Sequence, residues 1–163
     1  MSDLVMRPLA PTEEELGRFA ACFQRNDTPR TLPSLRWQYL EGPTGKLFVD
    51  VAATGTGADA RFAAIYAVLP VPVVIDGKPT LAVQSLDTLT DSDFRGKGLF
   101  LKLAKANYER ARAAGVAFVY GFPNGSSAHG FFSRLEWVRL DPVPFLVRPL
   151  RTRYVAARIS KRL

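Results

Sequence analysis

Apolar residues recur along this chain with two different spacings, and the changes between them divide it. Leu16, Phe19, Ala20 and Phe23 fall at helical spacing, so residues 13–24 read as an amphipathic helix. Thr12 followed three residues later by Glu15 makes a capping box, and Glu13 and Glu14 suit the positive end of the helix dipole. A short apolar stretch, Leu4 to Leu9, precedes the turn-prone Ala10-Pro11-Thr12. Pro29 and Pro33 bracket a break, and a second helix is expected over Ser34 to Leu40, stopped by Gly42-Pro43.

From Lys46 the spacing shortens to two. KLFVDVAAT, residues 46–54, alternates as a strand does, and Arg61 to Leu69 and Leu81 to Leu89 are further strands. Asp76-Gly77, between VPVVI and KPTLAV, is a hairpin signal. Helical spacing returns over Leu99 to Ala114. There Phe100, Leu103, Ala104, Tyr108 and Ala111 form the buried stripe, Lys102, Lys105, Glu109 and Arg112 the wet side, and Gly115 the stop. Val116 to Phe122 is almost continuously apolar and reads as a central strand. Asn124-Gly125-Ser126-Ser127 opens a short helix ending near Leu135, and Trp137 to Leu150 predicts one or two closing strands. The resulting order, β-α-α-β-β-β-α-β-α-β, is an α/β domain of the α+β type: an antiparallel meander, then one β-α-β crossover.

Composition narrows this picture only slightly. The 163 residues suit one domain, and 47% hydrophobic with 23% charged residues is ordinary for a soluble globular protein. No apolar run approaches the roughly 18–20 residues of a membrane-spanning helix, and MSDLVMRPLAPTEEEL lacks a secretory pattern. The single cysteine, Cys22, excludes an internal disulfide, so a cytoplasmic protein is the expectation.

The net charge of +7 raises the question of nucleic acid. Residues 148–163, RPLRTRYVAARISKRL, hold six basic groups and no acid; without them the chain has 16 basic against 15 acidic residues. The excess therefore belongs to a tail rather than to residues 1–147. That argues against a nucleic-acid surface on the domain, and a solvated terminal helix explains the tail as well as a polyanion contact does.

The chemistry concentrates in TLTDSDFRGKGLF, residues 88–100. Gly96 and Gly98 stand between a strand-like run and a helix, flanked by Arg95 and Lys97. The first turn of a helix leaves about four amides unpaired at the positive end of its dipole. Glycines keep side chains from covering those amides, so the junction suits a phosphate or diphosphate. A tight turn is the competing explanation. Neither G-x-x-x-x-G-K-[ST] nor a full G-x-G-x-x-G is present, since position 101 is Leu101.

Arg95-Gly96-Lys97-Gly98-Leu99-Phe100 resembles the pyrophosphate-binding signature [QR]-x-x-G-x-[GA] of the GNAT superfamily of acyl-CoA-dependent N-acyltransferases. The following strand ending in Gly121-Phe122-Pro123-Asn124 and the later FFSRLEW, similar to the family's Y-x-K-x-G-F, continue the likeness over roughly Leu4 to Leu140. The resemblance implies acetyl-CoA or another acyl-CoA as co-substrate, no metal, and a small-molecule or peptide amine as acceptor. It implies that Leu89 and Thr90 pair with the pantetheine arm and that amides of Arg95, Gly96, Lys97, Gly98, Leu99 and Phe100 take the pyrophosphate. It also implies that Asn124 and Ser127 flank the arm. Phe100 replaces the signature's small last residue, Glu136 stands where glycine is usual, and Phe132 stands where many members carry a proton-donating tyrosine.

For catalysis, Asp87 is the candidate base, on the strand leading to the junction; capping local backbone is its alternative role. Tyr120 and Tyr66 are candidate substitute acids. His129 reads as a surface residue, and one His with one Cys cannot make a usual zinc site. Two other readings stay open: a non-catalytic acyl-CoA-binding domain, and a nucleic-acid module using the tail. A homodimer is compatible with all of them.

Overall fold

A computed structural model of the chain describes residues 4–55, 57, 60–141 and 144. Its elements are β1 (Leu4–Pro8), α1 (Glu13–Arg25), α2 (Leu32–Tyr39), β2 (Phe48–Thr54), β3 (Arg61–Ile75), β4 (Lys78–Thr90), α3 (Leu99–Ala113), β5 (Phe118–Gly121) and α4 (Gly125–Arg134). A short 3-10 turn, Ser92–Phe94, joins β4 to the loop before α3. The five strands form one sheet in the order β1-β2-β3-β4-β5; the first four are antiparallel, and β5 lies parallel to β4. This is the mixed α/β architecture expected, meander then crossover.

The two faces of the sheet bury separate apolar clusters. One, including Leu16, Phe19, Leu35, Phe62 and Ile65, lies under α1 and α2. The other, including Tyr66, Val68, Val83, Leu103 and Phe131, lies under α3 and α4. Each helix is held by the apolar stripe its spacing supplies. Thr12 caps α1 by accepting from the Glu15 amide at 3.3 Å, but the Glu15 carboxylate binds Arg7 and Arg18 instead of closing the capping box.

Three expectations need correction. β3 and β4 run on through Pro70, Pro72 and Pro79 to the hairpin, rather than ending at Leu69 and starting at Leu81. β2 pairs only as far as Val68, so beyond it the proline nitrogens can face an open edge and no ladder bond is lost. The turn itself, Asp76 at φ 49° and Gly77 at φ 75°, is as expected. The strand expected at the centre, β5, is the last of the described sheet, with Phe118 40% exposed. Unbroken apolarity reports two covered faces and says nothing of whether both edges are paired. Third, residues 137–141 form no strand, and most of the remaining predicted closing segment, like the 148–163 tail, lies outside the described residues.

Two irregularities of β4 shape the site. Its pairing with β3 passes from Tyr66↔Thr88 to Val68↔Ser85, so Leu86 and Asp87 together oppose one residue, a β-bulge. Its pairing with β5 ends at Ser85↔Gly121. A Cβ on Gly121 would sit 3.0 Å from the Ser85 carbonyl oxygen and 3.2 Å from the Trp137 ring, tighter than ordinary contact, so glycine suits the place where the strands meet. Beyond this point they part.

Candidate active site

The gap between the diverging strands is a cleft of about 970 Å³. Asp87 to Thr90 line one wall, Phe122 to Asn124 the other, and Phe100 and Phe131 close the end beneath α3 and α4. Past Ser85, the side of β4 turned away from β3 has no strand partner among the described residues. Alternate main-chain groups along Asp87–Thr90 therefore open on the cleft.

A second cavity of about 310 Å³ surrounds the start of α3, lined by Gly96, Lys97, Gly98, Leu99, Leu101 and Arg134. Thr90, Arg95, Phe100 and Gly130 line both cavities and form the passage between them. The Arg95 amide makes one long bond, 3.5 Å to the Ser92 carbonyl, and the Lys102 amide bonds the Gly98 carbonyl at 3.2 Å. Among the described residues, nothing accepts from the amides of Gly96 to Leu101 between them. Gly96 at φ 78° and Gly98 at φ 68° hold the left-handed backbone that curls these amides, and each has open space where a Cβ would project. The unpaired donors, the dipole of a 15-residue helix and the charges of Arg95, Lys97 and Arg134 make this an anion cradle.

All ten residues expected to hold the coenzyme line one cavity or both. Asn124 also orders the start of α4, its Oδ1 accepting from the Ser127 amide at 3.1 Å and from the Ser127 hydroxyl at 3.2 Å. Phe100 is accommodated by Gly130. A Cβ on Gly130 would lie 2.8 Å from the Phe100 ring, so a large residue in the signature is matched by a missing side chain on α4. Glu136, which replaces the family's usual glycine, keeps a left-handed φ of 57°.

Asp87 is 8% exposed, yet lines the cleft. Its Oδ1 accepts from Arg30 at 2.9 Å, and its Oδ2 from the Tyr39 hydroxyl at 2.8 Å and from the Gln38 amide at 3.3 Å. Burial pushes its carboxyl above the ordinary range, against the lowering effect of those three partners. The raised value makes it a stronger base than a surface carboxylate.

The tyrosines are placed differently from the expectation. Tyr120 lines neither cavity; its hydroxyl reaches the Gln84 side-chain oxygen at 3.5 Å, and it is Gln84 that faces the cleft. Tyr66 is fully buried, 2.7 Å from the Tyr108 hydroxyl, and accepts from Ser85 at 3.1 Å. Burial, with Tyr108 beside it, drives its hydroxyl far above the ordinary range, and Tyr66 lines neither cavity. The α4 ring facing the cleft is that of Phe131, whereas Phe132 lies under the Arg139 guanidinium at 4.7 Å. His129 is exposed, and burial pushes the Cys22 thiol up to about 11. Among the described residues no three His, Cys, Asp or Glu side chains gather as metal ligands, and no helix is long and apolar enough to cross a membrane.

Arg30, Gln38 and Tyr39, which hold Asp87, were not legible as site residues, being 57, 49 and 48 positions away in sequence. Ser85 and Arg134 carried no signal beyond their position in recognised elements.

The acetyltransferase (GNAT) domain profile matches residues 11–139. The chain belongs to the GNAT acetyltransferase family. Its fold is shared with glucosamine-6-phosphate N-acetyltransferase from Arabidopsis thaliana, at 16% identity, covering 91% of this chain and 99% of that one with a TM-score of 0.66. An aminoglycoside acetyltransferase from an uncultured soil metagenomic sample is 18% identical, covering 90% and 99% at a TM-score of 0.65. The NatC complex bound to Gag peptide and CoA contains a chain 15% identical, covering 85% and 87% at 0.66. At these identities the likeness establishes the fold alone. None of the curated proteins matches the sequence.

Proposed function

We propose that this GNAT-family protein is an acyl-CoA-dependent N-acyltransferase that uses acetyl-CoA and delivers the acyl group directly to a primary amine. The observation carrying this reading is the run of unused amides from Gly96 to Leu101, facing a cavity continuous with the gap between β4 and β5. The donors suit a diphosphate, and the open space beyond Gly96 and Gly98 is where it fits. The NatC complex, which contains a chain of like fold, is bound to CoA, and this supports the same reading.

The coenzyme supplies an acyl group already activated as a thioester. The protein's own residues do the rest. Amides of Gly96 to Leu101, with Arg95 and Lys97, hold the diphosphate; Leu89 and Thr90 meet the arm by main-chain groups, with Asn124 and Ser127 opposite. An alkyl ammonium, with a pKa near 10.4, is neutral in fewer than about one molecule in a thousand at pH 7. Asp87 takes that proton, directly or through one water, while Arg30, Gln38 and Tyr39 fix its orientation. Holding amine and acyl carbon in line contributes several kcal/mol more. With Phe131 and Phe132 on α4, neither ring donates a proton; as the C–N bond forms and the C–S bond breaks, the second amine proton passes through water in the open cleft to the departing sulfur, which leaves as the thiol.

Titrating acetyl-CoA calorimetrically, then following thiol release with a panel of amines, tests the reading. Binding followed by amine-dependent thiol release supports it. Tight binding without turnover on a broad panel would make the protein an acyl-CoA-binding domain instead.

A further inference from the structure

The lining of the cleft is poor in free negative charge. Of the described residues lining the cleft, Asp87 is the sole acid, and it already has Arg30 as a partner. The nearby Asp91 is 2% exposed and taken by Arg25 and Arg61. Arg95 lines the same cleft. An acceptor with a second positive charge would find no unpaired carboxylate in the cleft lining to receive it; the exposed Asp27, between the lining residues Asn26 and Thr28, lies outside that lining.

An aromatic row adjoins it. Phe118, Tyr120 and Phe122 are alternate residues on one face of β5 and its continuation, with ring centroids 6.2 and 6.4 Å apart. Phe122 lines the cleft and is 72% exposed, while Phe118 is 40% exposed. Inside the cleft the apolar surface continues through Phe23, Leu86 and Leu89. Exposed rings clustered at a cleft mouth are surface that a ligand would gain by covering.

Building on the acyltransferase reading, we propose that the acceptor is a monoamine with an apolar, aromatic body, its nitrogen at Asp87 and its body across Phe122. The cleft selects such amines against polyamines and aminoglycosides by charge and by this row. Tyr120, edge-on to Phe122 outside the cleft lining, thereby supports that ring, a role unlike the acid expected of it.

The test measures thiol release from acetyl-CoA with phenethylamine and with spermidine. Phenethylamine is expected to give a kcat/KM at least about tenfold higher. Phe122→Ser should raise the phenethylamine KM about tenfold, the loss appearing in KM rather than kcat and exceeding any loss of acetyl-CoA affinity. Phe122→Tyr, which keeps a ring, should restore most of it. Phe122→Asp, which supplies the missing carboxylate, should shift the preference about tenfold toward spermidine. Spermidine equal to or better than phenethylamine, or an unchanged KM in Phe122→Ser, overturns the proposal while leaving the acyltransferase reading intact. Failure to bind acetyl-CoA removes both.

Discussion

On the α3 side of the cleft the polar groups that face a ligand are main-chain amides; on the α1–α2 side they are side chains already bonded to one another. Gly96 to Leu101 offer donors that no other described group uses, and nothing need move for an anion to meet them. Asp87, by contrast, is gripped by Arg30, Gln38 and Tyr39, so its chemistry depends on three distant residues keeping it ionised and aimed. The first half of the site is a property of backbone shape, and the second is a property of packing. Substitutions should therefore fail in different ways on the two sides.

The largest effect is expected at Asp87. Asp87→Asn keeps the shape but removes the base, and kcat/KM should fall by about 10²–10³ at pH 7. The sign with pH follows from the raised carboxyl. Wild-type activity needs the ionised form, so it is lost as pH falls through a value above the ordinary carboxylate range. The variant should lose that limb, and the deficit should shrink near pH 10, where the amine is already neutral. A pH–rate profile matching the wild type in shape and height would remove Asp87 from the mechanism.

On the other side, Gly98→Val places a β-branched residue at φ 68° and puts a side chain into the cradle. Losing one or two charge-assisted bonds should weaken acetyl-CoA binding roughly 30–100-fold. Backbone strain of about 1–2 kcal/mol should lower Tm by only about 3–8 °C. Affinity by calorimetry and Tm by scanning separate the two, and a binding loss explained wholly by unfolding would reduce Gly98 to a turn residue.

A smaller effect joins the two cavities. In a helix, Gly→Ala ordinarily stabilises by up to about 1 kcal/mol, but at Gly130 the new Cβ would lie 2.8 Å from Phe100. Gly130→Ala should instead destabilise by about 1–2 kcal/mol, and Phe100→Leu in the same chain should recover most of that. Additive losses in the double variant would show that the two residues do not share this space.

The smallest effect is on the support beneath the loop. Asp91 bonds Arg25 at 3.1 Å and accepts from the Asp93 amide at 3.2 Å. Burial opposes its ionisation, but the Asp93 amide and the two arginines outweigh it and hold the carboxyl below the usual range. A depressed acid stabilises fully above its unfolded value, near 3.9, and loses that contribution as pH falls through the folded one. Asp91→Asn should therefore cost about 1–2 kcal/mol at pH 7, discounted for the partly exposed arginines, and the gap should close in acid. Denaturant unfolding at pH 7 and pH 3 checks this.

The contrast between the two sides also explains what the sequence made legible. A backbone site is local: Arg95-Gly96-Lys97-Gly98 before an amphipathic run carries its own geometry, and helix α3 fell within one residue of its expected end. The Asp76-Gly77 hairpin was legible for the same reason. The position of β5 was not, because apolarity does not record which edges are paired. Nor was the setting of Asp87, whose partners lie on another element and meet it only after the sheet and α2 have packed. Tyr120 and Tyr66 show the same limit from the other direction: which face a strand tyrosine presents, and whether the cleft opens there, depends on strand pairing that the local sequence does not record.

The central claim is that free amides at the start of α3 grip a diphosphate. Amide chemical shifts of the ¹⁵N-labelled protein, recorded with coenzyme A and then with pantetheine, test it most directly. Coenzyme A should move the resonances of Gly96 through Leu101 furthest, and pantetheine, which lacks the diphosphate, should leave them in place. Resonances that stay still with coenzyme A bound, or that respond equally to pantetheine, would contradict the account.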